Sequence, residues 1–471
     1  MKTKHFIIAL FSLSLITTSC SNDDDGTKTP EPTPNIVELA QQTPSLSSLV
    51  AALLRADGDL ATVLAGNGPF TVLAPTNDAF ATFLSDNGFN SLEELPTDVL
   101  SQVLLNHVIM ADVSASDLIS MGSGYTSGSA TGAGDENISI YFDATNGVTF
   151  NNIATVTTAD VNASNGTVHI IDAVLGLPSV VDLAISNSDF SNLVAALGAA
   201  DGDLVSVLSG DGPFTVLAPS DAAFSTFLDG AALGDVDTGA LSQILLNHVI
   251  IGSTITSTAL LDLGAGYTNT GATGPSSNAL SLYFNTTNGV MFNGISTVTK
   301  ADIVGTNGII HAIDTVIDIP TVVTFAVADP NFSTLVDALT TLTPATDFAT
   351  ILSRTETGNS DMLDPNFTVF APTNDAFAAL TAVPEEAALT QILLHHVIKE
   401  ANITSSMLTN PGDTTAATIE GDDITISLPG TGNNIANITD GSGATDIGIV
   451  AVDVQAENGV IHAINKVMIN N

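Results

Sequence analysis

Along the chain, the period of the apolar positions changes in a fixed order, and that order returns three times. Leu46, Val50, Leu53 and Leu54 recur at helical spacing, as do Phe190, Val194 and Leu197, and they predict an amphipathic helix early in each unit. In Phe70–Ala74, FTVLA, the alternation is that of a strand. Pro75 stops it, and Thr76, Asn77 and Asp78 supply capping side chains for a helix expected to bury Phe80, Phe83 and Leu84. Leu100, Val103 and Leu104 predict a further helix running into Asn106–Ile109. Residues 138–150, ISIYFDATNGVTF, read as two strands around Asn146-Gly147, and LSLYFNTTNGVMF repeats them around Asn288-Gly289. A last strand is predicted within 165–175, 307–317 and 458–468. Each unit is α+β.

The repetition is explicit in PFTVLAPTNDAF at 69–80, PFTVLAPSDAAF at 213–224 and NFTVFAPTNDAF at 366–377. A period near 145 residues is too long for a solenoid repeat, so each copy is expected to be a domain with its own core. The domains read as 35–178, 179–320 and 321–471, arranged as beads on a short string. The third copy carries about ten extra residues between Thr340 and Pro365, and its ISLPGTGNNIANI stretch lacks the Asn-Gly hairpin. An altered loop or edge strand is expected there.

Composition narrows the function. Among 471 residues, 8 Lys and Arg stand against 50 Asp and Glu, a formal net charge of -42, which excludes a nucleic-acid partner. With 44% hydrophobic and only 12% charged residues, the acid is diluted through a globular chain. The single cysteine, Cys20, excludes an intramolecular disulfide and a thiol metal site. Residues 1–19 carry two lysines, an apolar run from Phe6 to Ile16 and small residues before Cys20, the pattern of a secretory signal. Together with Cys20 they resemble a bacterial lipoprotein signal, although Thr17 stands where the usual pattern has Leu. That resemblance implies a lipidated Cys20 as anchor, and it makes Ser21, Asp23, Asp24 and Asp25 similar to the surface-export signal of Bacteroidetes-type lipoproteins. Residues 20–34 then form an acidic, Pro-rich tether below an outer-membrane, cell-surface protein, with the periplasmic face as the alternative.

Three ordered motifs, the (P/N)FTV(L/F)AP(T/S) segment, the helix ending LL(N/H)HVI and the closing NG(T/I/V)(V/I)H(I/A)I(D/N), together resemble the fasciclin domain over residues 35–471. The resemblance implies three tandem domains, each a β-sandwich or wedge with packed helices. It further implies a non-enzymatic role in adhesion to extracellular matrix, glycans or surface proteins. Its receptor-contact motif, an Asp followed by a branched apolar residue, maps onto Asp160-Val161, Asp302-Ile303 and Asp453-Val454. Its Tyr-His motif maps onto Asn106-His107, Asn247-His248 and His395-His396, with the Tyr missing in every copy.

His107, His169, His248, His311, His396 and His462 recur at matching places. Neither HExxH nor a Cys pair accompanies them, so no metal or cofactor is called for, and a recurring histidine suits a fold constraint. His169 and Asp172 lie three apart on one predicted strand and face opposite sides, which disfavours a hydrolytic triad. No nucleophile elbow or phosphate loop is present. Two other readings remain: a glycan-capture lipoprotein of an uptake system and a passive spacer. Glycan sites use aromatic platforms, and this chain has no Trp and only Tyr125, Tyr141, Tyr267 and Tyr283, all in the first two copies.

Overall fold

The computed structural model describes residues 33–471. Cys20, Ser21, Asp23, Asp24 and Asp25 lie outside the described residues. The chain forms three α+β domains in tandem, each built on one seven-stranded sheet.

In domain 1 the helices are α1 (Ile36–Gln42), α2 (Ser47–Arg55), α3 (Leu60–Ala65), α4 (Asn77–Asp86), α5 (Thr97–Asn106) and α6 (Ala115–Met121). The strands are β1 (Phe70–Pro75), β2 (Val108–Ile109), β3 (Ser123–Thr131), β4 (Asn137–Asp143), β5 (Thr149–Phe150), β6 (Ala154–Ala163) and β7 (Gly166–Ile171). The sheet order is β2-β1-β7-β6-β5-β4-β3, with β1 and β7 parallel and the other pairs antiparallel. The two ends of the sheet meet where the Ser129 hydroxyl donates to the Val108 carbonyl at 2.8 Å. The folded sheet encloses one core around Leu73, Ile140, Phe142 and Phe150. A second core, around Phe70, Val72, Leu46 and Leu100, lies between sheet and helices. The result is a wedge.

FTVLA lies between β2 and β7 and is buried on both faces. Thr71 is tolerated there because its hydroxyl donates to the Ala111 carbonyl at 2.7 Å and accepts the Val113 N–H at 2.8 Å. Thr76 caps α4 by accepting the Ala79 N–H. Phe80 of α4 is buried, whereas Phe83 and Leu84 are only half-buried. On α2 the predicted stripe is corrected: Leu49, Ala52 and Leu53 are buried with Leu46, while Leu54 is 71% exposed.

In domain 3 the extra residues form a loop closed by a bidentate pair from the Arg354 guanidinium to the Asp361 carboxylate, at 2.8 and 2.9 Å. The strands Asp423–Leu428 and Ala436–Thr439 replace the Asn-Gly hairpin but keep interior places in the sheet, so no new edge strand results.

The string of beads is also corrected, because neighbouring domains share hydrogen bonds and apolar contacts. Between domains 1 and 2, the Val304 N–H donates to the Ser139 hydroxyl at 2.9 Å and the Ala133 N–H to the Gly305 carbonyl at 2.9 Å. Between domains 2 and 3, the Gln455 N–H donates to the Ser281 hydroxyl at 3.0 Å. Tyr125 packs on the core of domain 2, and Tyr267 and Tyr283 on that of domain 3.

Candidate functional site

His107, His248 and His396 each follow the helix that feeds β2 or its equivalent, and all three are buried. The Leu175 N–H donates to His107 Nε2 at 2.9 Å, so the ring proton sits on Nδ1 and is given to the Val103 carbonyl at 2.7 Å. His248 makes the same pair of bonds with Ile317 and Ile244, and His396 with Met468 and Ile392. Burial pushes all three pKa values down to about 4, against a smaller opposing effect of the backbone hydrogen bond, so the rings are neutral. The position before each, Asn106, Asn247 and His395, is 0% exposed, which leaves the mapped Tyr-His motif no surface.

The other three histidines are joined to the Asp-apolar pairs. Asp160, Asp302 and Asp453 have positive φ at a bulge in the penultimate strand of their domains. The Asp160 N–H donates to His169 Nδ1 at 3.3 Å, and His169 Nε2–H donates to the Val113 carbonyl at 2.9 Å. His311 repeats this with Asp302 and Ile255, and His462 with Asp453 and Ile403. Each Asp carboxylate then accepts a backbone N–H from the segment after the second strand, from Ala115, Ser257 and Ser405 at 2.8, 2.9 and 2.7 Å. Burial lowers the pKa of His311 and His462, which with the N–H donation to Nδ1 keeps both rings neutral. The 3.9 Å approach of Asp302 to His311 is therefore not an ion pair.

Ser257, Asp302 and His311 stand together, as do Ser405, Asp453 and His462, but the order is wrong for hydrolysis. The serine hydroxyl donates to the aspartate rather than to the imidazole, whose two nitrogens are already bonded to backbone. In domain 1 the serine position is Ala115. Asp172 lies just past β7 and accepts the Thr155 N–H, a bond that Asn465 reproduces with Gly448, so its charge is not what the position uses. Among the described residues no group of three or more His, Cys, Asp or Glu is arranged to hold a metal. Among them too, no helix is long and apolar enough to cross a membrane.

The apolar members of two of the three Asp-apolar pairs are not at the surface. Ile303 is 0% exposed and Val454 8%, both inside domain cores, and only Val161 is half-exposed. The nine-residue separation of each Asp from its His is constant in the sequence, and it was the available signal that the two act together.

A fasciclin domain model matches residues 44–178, 188–320 and 330–470. The chain belongs to the fasciclin domain family. Human periostin is 27% identical over 340 residues, which cover 71% of this chain and 37% of periostin. The transforming growth factor-beta-induced protein ig-h3 of Oryctolagus cuniculus is 27% identical over 457 residues, 92% of this chain and 57% of that protein. Protein sll1483 of Synechocystis sp. (strain ATCC 27184 / PCC 6803 / Kazusa) is 38% identical over 140 residues, 30% of this chain and 72% of that protein. The chain thus spans less than two thirds of the length of the two animal relatives.

What sequence reading missed lies between the fasciclin domains. Tyr125 and Tyr141 meet edge to face at 5.2 Å, and Tyr267 and Tyr283 meet at a tilt, 5.0 Å apart. The Asn187 side chain donates to the Tyr125 hydroxyl at 3.1 Å, and the Tyr267 hydroxyl donates to Asp329 at 3.0 Å. In the third fasciclin domain the corresponding cross-strand pair is Asp413 and Ser427, hydrogen-bonded to each other at 2.7 Å. The tyrosines therefore mark the faces that meet a following domain. Tyr141 and Tyr283 are buried there, so they present no open aromatic platform.

Proposed function

We propose that this protein is a non-enzymatic adhesin: lipid on Cys20 anchors it in the outer membrane, residues 21–34 tether it, and three fasciclin domains extend from the cell surface. The observation that carries this reading is three fasciclin domains in one chain behind an N-terminal segment that resembles a lipoprotein signal ending at Cys20. The histidines and aspartates that invited a catalytic reading hold backbone groups, and this supports binding rather than chemistry. The partners are extracellular matrix, glycan or surface proteins. Weak sites repeated on one chain raise avidity about 100-fold or more when they engage together.

Protease accessibility on intact cells tests the placement. The wild type is expected to be shaved, Cys20→Ala to be released into the medium, and replacement of Asp23, Asp24 and Asp25 by Ala to give protection. Protection of the wild type would move the protein to the periplasmic face. Adhesion of beads carrying the mature chain to matrix and polysaccharide surfaces tests the binding, and a passive spacer would give none. The second reading, glycan capture, is favoured by one observation: the half-buried Tyr125 meets polar groups of the next domain in a crevice.

A further inference from the structure

We infer that the crevice between fasciclin domains 1 and 2 binds an acidic sugar residue, with Lys300 receiving the sugar carboxylate. This deepens the adhesion reading and rests on it. The crevice has a volume of about 250 Å³ and is lined by Tyr125 and Tyr141 from domain 1 and by Asn187, Asp189, Ser220 and Lys300 from domain 2. Neither domain forms it alone. Its volume lies just below the roughly 300 to 1,000 Å³ of pockets for drug-sized ligands, which suits a single sugar unit of a polymer.

The charges in the crevice point to a ligand. Among the described residues, Arg55 donates to the carbonyls of Leu95 and Glu93, Arg354 pairs with Asp361, Lys399 donates to the Met362 carbonyl and Lys466 pairs with Asp446. Lys300 alone of these five basic residues has no hydrogen-bond or ion-pair partner among the described residues. Asp189 lines the same crevice, and its carboxylate likewise has no side-chain partner there; the two do not pair with each other. Lys300 and Asp189 are both exposed to the crevice and both free to meet a ligand. The Tyr125 hydroxyl accepts from Asn187 and keeps its own proton to donate. A cation, a phenolic donor and a carboxylate acceptor around one space match a molecule with one carboxylate and several hydroxyls. Asp189 opposes a second negative charge at the same place, which favours a uronate over a phosphorylated sugar.

The junction of domains 2 and 3 separates this site from the structural use of the tyrosines. Tyr267 and Tyr283 are present there, but the strand position of Lys300 is taken by Ala451 and that of Asp189 by Asn331, and the Tyr267 proton is already given to Asp329.

Titration of the full mature chain with oligogalacturonate tests the inference. The protein has no Trp, and all four tyrosines lie at the junctions, so intrinsic tyrosine emission reports on them, and calorimetry gives the affinity. Saturable binding is expected, weakened at least about tenfold by Lys300→Ala, retained in Lys300→Arg, and not competed by a neutral galactan oligomer. Lys300 is exposed, so the urea midpoint of Lys300→Ala is expected to match the wild type. Unchanged affinity in Lys300→Ala, equal binding of the neutral oligomer, or no binding of oligogalacturonate at millimolar concentration would overturn it. If beads still adhere in any of those cases, this inference fails while the adhesion reading stands. Uronate binding that depends on Lys300 without any bead or cell adhesion would sink the adhesion reading instead.

Discussion

The Asn458 side chain accepts the Val322 N–H at 3.0 Å, tying the turn before the last strand of domain 3 to the start of its first helix, 136 residues earlier. Its amide also donates to the carbonyls of Leu352 and Arg354, at 2.7 and 2.9 Å. Asn165 and Asn307 make the same three bonds in the other domains. The following glycine is obligatory, since a Cβ on Gly459 would lie 2.1 Å from the Phe367 carbonyl oxygen. Asn458→Ala leaves one N–H and two carbonyls without this partner in a buried place, and the expected loss is roughly 3 kcal/mol of domain 3 stability. Urea unfolding of the chain measures it, and Asn458→Asp, which sets a carboxylate against the two carbonyls, is expected to lose at least as much as Asn458→Ala.

Ile303 and Val454 distinguish packing from contact with a partner. The Ile303 side chain lies in the core of domain 2, so Ile303→Ala is expected to destabilise that domain by about 3 kcal/mol. Ile303 also lines the crevice that holds Lys300, so adhesion is compared in Val454→Ala, whose side chain lies in the core of domain 3; measured well below its unfolding temperature, its bead adhesion should remain at wild-type level. A loss of adhesion from a fully folded Val454→Ala protein would make the Asp-apolar pair a contact site.

The order of helix, strand, capped helix and closing strand was legible because each depends on nearby residues: Pro75 ends a strand and Thr76 starts a helix wherever they are placed. The face of α2 was misread because the stripe runs through Ala52, a small residue that apolar counting passes over, while Leu54 points to solvent. FTVLA was legible as a buried strand, but not the two hydrogen bonds from Thr71 to the chain after β2 that make its burial acceptable. The junctions were not legible, since Ser139 and Val304 are 165 residues apart and nothing local to either marks the pairing. The site at Lys300 shares this cause: Lys300 and Tyr125 belong to different domains and acquire meaning only when these meet.

Tyr267 is expected to control how domains 2 and 3 are held. Its ring lies against Tyr283 and, at 5.8 Å, against Phe325 of domain 3, and its hydroxyl reaches Asp329. Tyr267→Phe removes one charge-assisted hydrogen bond, and about 1 to 2 kcal/mol is expected, whereas Tyr267→Ala removes the aromatic contacts as well and should cost about 3 kcal/mol of coupling. Small-angle scattering is expected to show a wider distribution of shapes for Tyr267→Ala only, and calorimetry a separate, earlier unfolding step for domain 3. An unchanged scattering profile for Tyr267→Ala would mean that the remaining contacts, with the bond from the Gln455 N–H to the Ser281 hydroxyl, suffice to fix the junction.

The buried histidines set a pH window for stability. His107, His248 and His396 have folded pKa values pushed down to about 4 by burial, against about 6.5 for an exposed histidine. Between these values the unfolded chain binds protons that the folded chain refuses, so stability is full above pH 6.5 and falls as the pH drops toward 4. At pH 5 the expected loss is roughly 2 kcal/mol per domain, since each pKa unit is worth about 1.4 kcal/mol. This window lies largely above the range in which the carboxylates protonate, which separates the two effects. Urea midpoints at pH 7.5, 6 and 5 are expected to decrease in that order. Replacing His396 by Gln, whose amide keeps a hydrogen-bonding side chain without a titrating one, should reduce the decrease for domain 3 alone and leave the part that His462 contributes. A domain 3 midpoint as steep in His396→Gln as in the wild type would assign the pH dependence to other groups.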